Sequence, residues 1–102
     1  MAKGFWVARV DVYDMDSYKQ YAALNQIPFK KFGARYLVRG GTFELREGES
    51  RARNVVIEFP TYQAALDCYN SPEYKEACKH RGGKISAGDL IIIEGYEGAQ
   101  PS

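Results

Sequence analysis

The sequence lacks most of what would announce a chemistry. It has one histidine, two cysteines and four prolines in 102 residues, and a formal net charge of +1. The cysteines, Cys68 and Cys78, stand ten apart with no C-x-x-C pair, so neither a disulfide framework nor a metal-ligand spacing is present. A near-neutral balance supplies no overall field to draw in nucleic acid or an anionic membrane. No apolar run approaches the ~20 residues of a membrane-spanning helix. The opening "MAKGFWVARVDV" is too short and too charged for a secretory signal. No internal repeat or low-complexity segment interrupts the chain. These absences lead to the expectation of one cytoplasmic domain with reduced thiols over residues 1–102, ordered from about residue 4 to residue 97. The tail "GAQPS" is expected to be disordered.

What is present is patterning. "GFWVARVDVYD" alternates as a strand, with Trp6, Ala8, Val10 and Val12 on one face and Phe5, Val7, Arg9, Asp11 and Tyr13 on the other. Asp14 or Asp16 can cap the helix that follows, which carries Tyr18, Tyr21, Ala22, Phe29 and Phe32 on one side. Pro28 should end or kink it, and Gly33 closes the segment. "ARYLVR" is a second strand, running into Gly40-Gly41 and then "TFEL". The two glycines are expected to bend or bulge this strand, with "TFEL" continuing it. "REGESRAR" reads as a charged loop. "NVVIEF" is a third strand, stopped by Pro60. Thr61 caps a helix, and Ser71-Pro72-Glu73 begins another: a capping hydroxyl, proline at the first position and acid in the first turn. That helix is expected to reach about Arg81, before Gly82-Gly83. "DLIIIEGY" is the last strand.

The order β-α-β-β-α-β is that of a ferredoxin-like split βαβ fold, an α+β four-stranded antiparallel sheet with helices on one face. Its other face is uncovered within one chain. Strands one, three and four nonetheless carry large apolar residues at both parities, where a half-solvated sheet would alternate apolar with polar. A homodimer packed sheet to sheet follows, with Arg9, Asp11, Glu58 and Glu94 as candidate interface polar groups.

"GARYLVRGG", "VVIEFPT", "YNSPEYKEACKHR" and "LIIIEGY" resemble the family known as domain of unknown function 1330, over roughly Phe5 to Tyr96. The resemblance implies the dimeric α+β-barrel superfamily, whose members include cofactor-independent monooxygenases, isomerases, haem-handling enzymes and effector-sensing domains. Function does not follow from such a fold. Two departures from the family pattern are Thr61 for a frequent serine and Cys68 for a frequent aromatic. The threonine keeps the cap; the cysteine is expected to leave space beside Tyr69.

Among individual residues, Arg39 is the first candidate, a planar fork suited to carboxylate or phosphate beside glycines that allow close approach. It equally fits a strand cation paired with an acid such as Glu58. The glycines lie between strand segments, which excludes a phosphate-cradling loop of the P-loop kind. Arg81 ends a helical stripe of Tyr74, Ala77 and Cys78, as a C-terminal cation or as the mouth of a cleft lined by Tyr69 and Tyr74. Two arginines with tyrosine hydroxyls suit a small acidic aromatic or other organic anion. Glu58 and His80 are the candidate proton-transfer groups, though a paired strand acid and a solvated histidine describe them as well. Cys78 lacks an activating base on its own helix face. The eight tyrosines raise stacking on RNA, but the ribonucleoprotein consensus is absent. The expectation is therefore a cofactor-independent, metal-free protein that binds or converts a small anionic or aromatic metabolite. The competing description is a non-catalytic dimeric module.

Overall fold

The alternation of the first segment becomes β1 (Gly4–Val12), the strand around which the sheet is assembled. A computed structural model of the chain describes residues 2–101. Helices α1 (Met15–Leu24) and α2 (Gln26–Lys31) lead to β2 (Arg35–Arg39). Strand β3 (Arg53–Phe59), helices α3 (Tyr62–Asn70) and α4 (Pro72–Cys78) and strand β4 (Ser86–Glu94) complete the order. The sheet runs β2-β3-β1-β4 with every neighbour antiparallel. This is the expected α+β ferredoxin-like arrangement, with all helices on one face.

Capping chemistry sets the helix starts. Of the two candidates at the first helix, Asp14 is the cap; its side chain accepts from the amide and the hydroxyl of Ser17. Thr61 accepts from the Ala64 amide at 3.0 Å, and Ser71 from the Tyr74 amide at 3.2 Å. The Ser71 hydroxyl also donates to the Cys68 carbonyl at 2.7 Å, so one side chain ends α3 and begins α4. The first helix breaks at Asn25 rather than Pro28. The proline falls in the first turn of α2, where its missing N–H has no helical acceptor to serve. Gly33 follows with φ +75, the left-handed conformation expected of a residue that ends a helix.

Three boundaries differ from the sequence reading. Helix α4 stops at Cys78, because the amides of Lys79, His80 and Arg81 each donate to the carbonyl three residues back, tightening the chain into turns. Strand β4 begins at Ser86, where its pairing with Val12 extends the ladder three residues earlier than "DLIIIEGY". In β2 the bulge lies at Leu37, not at the glycines. Tyr36 pairs with Ile57 and Val38 with Val56, leaving Leu37 as the extra residue. The glycines end the strand, Gly40 at φ +66 with its amide donating to the Asn54 carbonyl. "TFEL" has no regular structure, and its Phe43 and Leu45 are exposed. The tail to Pro101 likewise lacks regular structure, though the Tyr96 hydroxyl donates to the Ala99 carbonyl; Ser102 lies outside the described residues.

The core lies between sheet and helices and is aromatic. The Trp6 ring meets Phe29, Phe59, Tyr69 and Tyr74 at centroid distances of 4.9–5.8 Å, mostly edge to face. Its indole N–H donates to the Ala65 carbonyl at 2.9 Å. The opposite face of the sheet carries Phe5, Val7 and Val56, with Ile91 and Ile93 half-exposed. Two of the polar residues expected at an interface there already have partners within the chain. Asp11 accepts from the Ala52 amide and from Arg51, which also reaches Asp89. Glu58 pairs with Lys3 at 2.6 Å. Among the described residues no helix is long and apolar enough to cross a membrane.

Trp6→Phe removes both ring volume and the bond to Ala65. The expected loss is about 2–4 kcal/mol of unfolding free energy, read from urea denaturation, with the fold retained.

Candidate functional site

Side-chain sizes along the helix-facing side of the sheet open a hollow. On β1 the large Trp6 is followed by Ala8 and Val10; on β4, Ser86 and Gly88 precede Leu90. Small residues at Ala8, Gly88 and Ser86 leave space that Ala22 on α1 does not fill. The result is a partly open cavity of about 100 Å³ between the sheet and α1. Its floor is Trp6, Phe29, Val55, Ile57 and Leu90, and its polar lining comprises Tyr18, Tyr21, Asn25, Tyr36, Tyr74, Arg39, Arg53, Arg81, Ser86 and Asp89.

The Leu37 bulge decides where Arg39 points. In an unbroken strand Arg39 would share its face with Leu37, opposite Tyr36 and away from the helices. The extra residue moves Arg39 into register with Val55, whose side chain packs on the core, and so onto the cavity side. There its guanidinium stacks on Tyr36, with the central carbon 4.3 Å from the ring centroid. Tyr36 in turn accepts from the Gln26 side-chain amide at 3.1 Å.

Arg53 enters from β3, where period two puts it on the same face as Val55 and Ile57. Its guanidinium passes beneath Gly40: a Cβ there would stand 2.6 Å from the Arg53 Nη1. The positive φ is what favours glycine at position 40, since the contact made by a Cβ would be with the flexible end of the Arg53 side chain. Arg81 arrives by the turn after α4, whose carbonyl accepts from the buried Ser86 hydroxyl. Its guanidinium lies 5.6 and 5.8 Å from the ring centroids of Tyr21 and Tyr74. The hydroxyls of Tyr21 and Tyr74 share a 2.7 Å hydrogen bond.

The phenols are held neutral. Burial pushes Tyr21 up to about 12, against the opposing influence of its Tyr74 hydrogen bond and of Arg81. Tyr74 is raised further, by burial and then by proximity to Tyr21. Burial also raises Tyr18, although Arg53, Arg81 and Arg39 all act in the other direction. For Arg81, burial opposes the charge, but Tyr74, Tyr21 and Cys78 around it raise its pKa above the ordinary arginine value. The cavity therefore offers fixed cations and un-ionised hydroxyls, a combination that binds oxyanions.

Of the residues singled out from the sequence, Arg39, Arg81 and Tyr74 come together here and the others do not. Tyr69 follows a different course: its ring packs edge-on against Trp6 and lies 5.5 Å from Tyr74, while its outer side is exposed, outside the cavity lining. Glu58 lies between inward-facing Ile57 and Phe59, so strand parity turns it to the open face with Lys3. His80 sits in the turn after α4 near the Glu76 carboxylate and does not line the cavity. Cys68 is fully buried, its thiol pushed up to about 12 by burial and then by Glu73, and leaves no space within this cavity. Arg53, Tyr18, Tyr21 and Tyr36 were not singled out as ligand groups. Arg53 was readable by parity with Val55, whereas Tyr18 and Tyr21 look like core residues on a helical stripe. Among the described residues no three His, Cys, Asp or Glu side chains gather as a metal site requires.

This architecture defines a class: an α+β sheet protein whose helix-covered face holds a cavity of aromatic rings and guanidinium groups. The chain belongs to the family described as domain of unknown function DUF1330, whose model matches residues 3–96. Its fold is similar to that of RPA0582, a protein of unknown function from Rhodopseudomonas palustris. The TM-score is 0.74 at 20% identity, over 95% of this chain and 85% of that one. A methylated form of RPA0582 superposes with a TM-score of 0.75 at 19% identity, over 97% of this chain and 84% of that one. SnoaB, a cofactor-independent oxygenase from Streptomyces nogalater, matches with a TM-score of 0.59 at 13% identity, over 100% of this chain and 97% of that one. At such identities the likeness concerns fold alone. No curated protein matches the sequence.

The raised phenols have a consequence for stability. Tyr21 binds its proton more tightly folded than unfolded, so its contribution is complete below the ordinary value of 10.0 and lost as pH rises through about 12. In urea unfolding measured across that interval, the wild type should lose stability more steeply than the Tyr21→Phe/Tyr74→Phe variant. Parallel curves would contradict this.

Proposed function

We propose that the cavity binds a small anionic or aromatic metabolite, without a cofactor, in a cytoplasmic protein. One observation carries this: three guanidiniums and neutral phenols face an apolar floor with no free carboxylate among them. Asp89, the acid in the lining, is taken by Arg51 at 2.8 Å. Arg39 and Arg81 anchor the anion, and Tyr74, with Tyr21, donates a hydrogen bond to it. Tyr69 supports this arrangement from behind, by packing on Tyr74 and Trp6. Neither Glu58 nor His80 reaches the cavity, which leaves it without a conventional general base and favours binding over proton-transfer catalysis. SnoaB's description as a cofactor-independent oxygenase is compatible with small-molecule handling on this fold and adds nothing about substrate.

The experiment is a thermal-shift and native mass spectrometry screen against small carboxylates and aromatic metabolites. Binding by wild type and at least about ten-fold weaker binding by Arg39→Ala and Arg81→Ala, with secondary structure unchanged, is the expected result. No shift across the library would favour a non-catalytic dimeric module. Variants that lose stability instead of binding would make the arginines structural.

The bare apolar face of the sheet supports a homodimer packed sheet to sheet, since Ile91 and Ile93 are about half-exposed beside Phe5, Val7 and Val56. Light scattering at micromolar concentration should give twice the chain mass; a monodisperse monomer would overturn this assembly.

A further inference from the structure

Three arginines in one small cavity are more than a single carboxylate can satisfy. Arg39 comes from the end of β2, Arg53 from the start of β3 and Arg81 from the turn after α4. All three arginines and the Tyr18 phenol line the same cavity. Among the described residues none of the three has an ion-pair partner, and the Nε atoms of Arg53 and Arg81 are buried without a hydrogen-bond acceptor. Arg53 and Arg81 are half-buried and Arg39 is exposed at the strand end; like charges sharing one cavity repel, and buried donors without acceptors cost free energy. A bound anion relieves both. Beneath these cations the floor is apolar, with Trp6, Phe29, Ile57 and Leu90 facing the space.

Resting on the reading of the cavity as a ligand site, we propose that its ligand is a dianion with an apolar, ring-sized body. The two ionised groups lie among Arg39, Arg53 and Arg81 at Tyr18, and the body lies over the aromatic and aliphatic floor. Arg53 is the residue that distinguishes a dianion from a monoanion, because Arg39 and Arg81 suffice for one carboxylate. In the "VRGG" stretch, Arg39 is delivered by the bulge before it, and the Arg53 guanidinium lies beside Gly40. Dicarboxylates and phosphate monoesters share the required chemistry.

The test is isothermal titration of the wild-type protein at fixed ionic strength with benzyl alcohol, benzoate, isophthalate, phenyl phosphate and inorganic phosphate. Isophthalate or phenyl phosphate should bind at least about ten-fold more tightly than benzoate, the worth of one further charge-assisted contact. Whichever of the two binds more tightly identifies the anion as carboxylate or phosphate. In Arg53→Gln that preference should fall to within about two-fold, because dianion affinity drops by more than benzoate affinity does. Equal affinity for benzoate and both dianions would overturn the dianion and leave the site standing. Inorganic phosphate binding as tightly as phenyl phosphate would overturn the apolar body. Failure of every aromatic probe to bind would overturn the ligand site itself.

Discussion

The fold turns on Trp6. Its ring is the common neighbour of Phe29 from α2, Phe59 from β3, Tyr74 from α4 and Tyr69 at the end of α3. Its N–H fastens to the Ala65 carbonyl of α3. A buried indole with an unpaired N–H would cost free energy, so this bond fixes the distance and rotation of α3 over the sheet. Every helix-to-sheet relation that shapes the cavity depends on that seat. The hollow beside it exists because the sheet follows its largest residue with its smallest: Ala8 on β1, and Ser86 and Gly88 on β4. The core is dense at one end of β1 and open at the other.

Into that open end the chain sends cations from three separate elements and sets them beside phenols, among which burial raises the pKa of Tyr18, Tyr21 and Tyr74. The electrostatic character is lopsided. Carboxylates elsewhere find cations of their own: Glu58 with Lys3, Glu73 with Lys31, Asp11 and Asp89 with Arg51. Arg39 and Arg81 lie over tyrosine rings instead. Exposed ion pairs such as these contribute little to stability. Among the described residues none of the three cavity arginines takes part in such a pair.

The architecture was legible in the sequence because it depends on short-range signals. Period-two alternation, three capping side chains and Pro72 at a helix start give β-α-β-β-α-β without any knowledge of packing. Boundaries were less legible where tertiary contacts outweigh local preference. Asn25 breaks the first helix before the proline that seemed to be the breaker. Ser86 joins the sheet because Val12 is available to pair with it. At the site, Arg39, Arg81 and Tyr74 stood out by residue type and position, and they do meet. Tyr69 and Glu58 stood out equally and face elsewhere. Arg53 was passed over as part of a charged loop, although its parity with Val55 was readable.

The sequence by itself determined the order of elements, the alternation of β1, the caps at Thr61 and Ser71, and the presence of arginine and tyrosine side chains. Only the tertiary structure decided which of those side chains converge. The physical reason lies in register. One extra residue at Leu37 inverts the side of the sheet on which Arg39 emerges, and neither the extra residue nor its partner strand is visible from local pattern. Likewise, a glycine's left-handed turn is suggested by "VRGG", but the arginine lying beneath it comes from a strand thirteen residues further on. Convergence of distant residues is a property of pairing, and pairing is settled by the whole sheet at once.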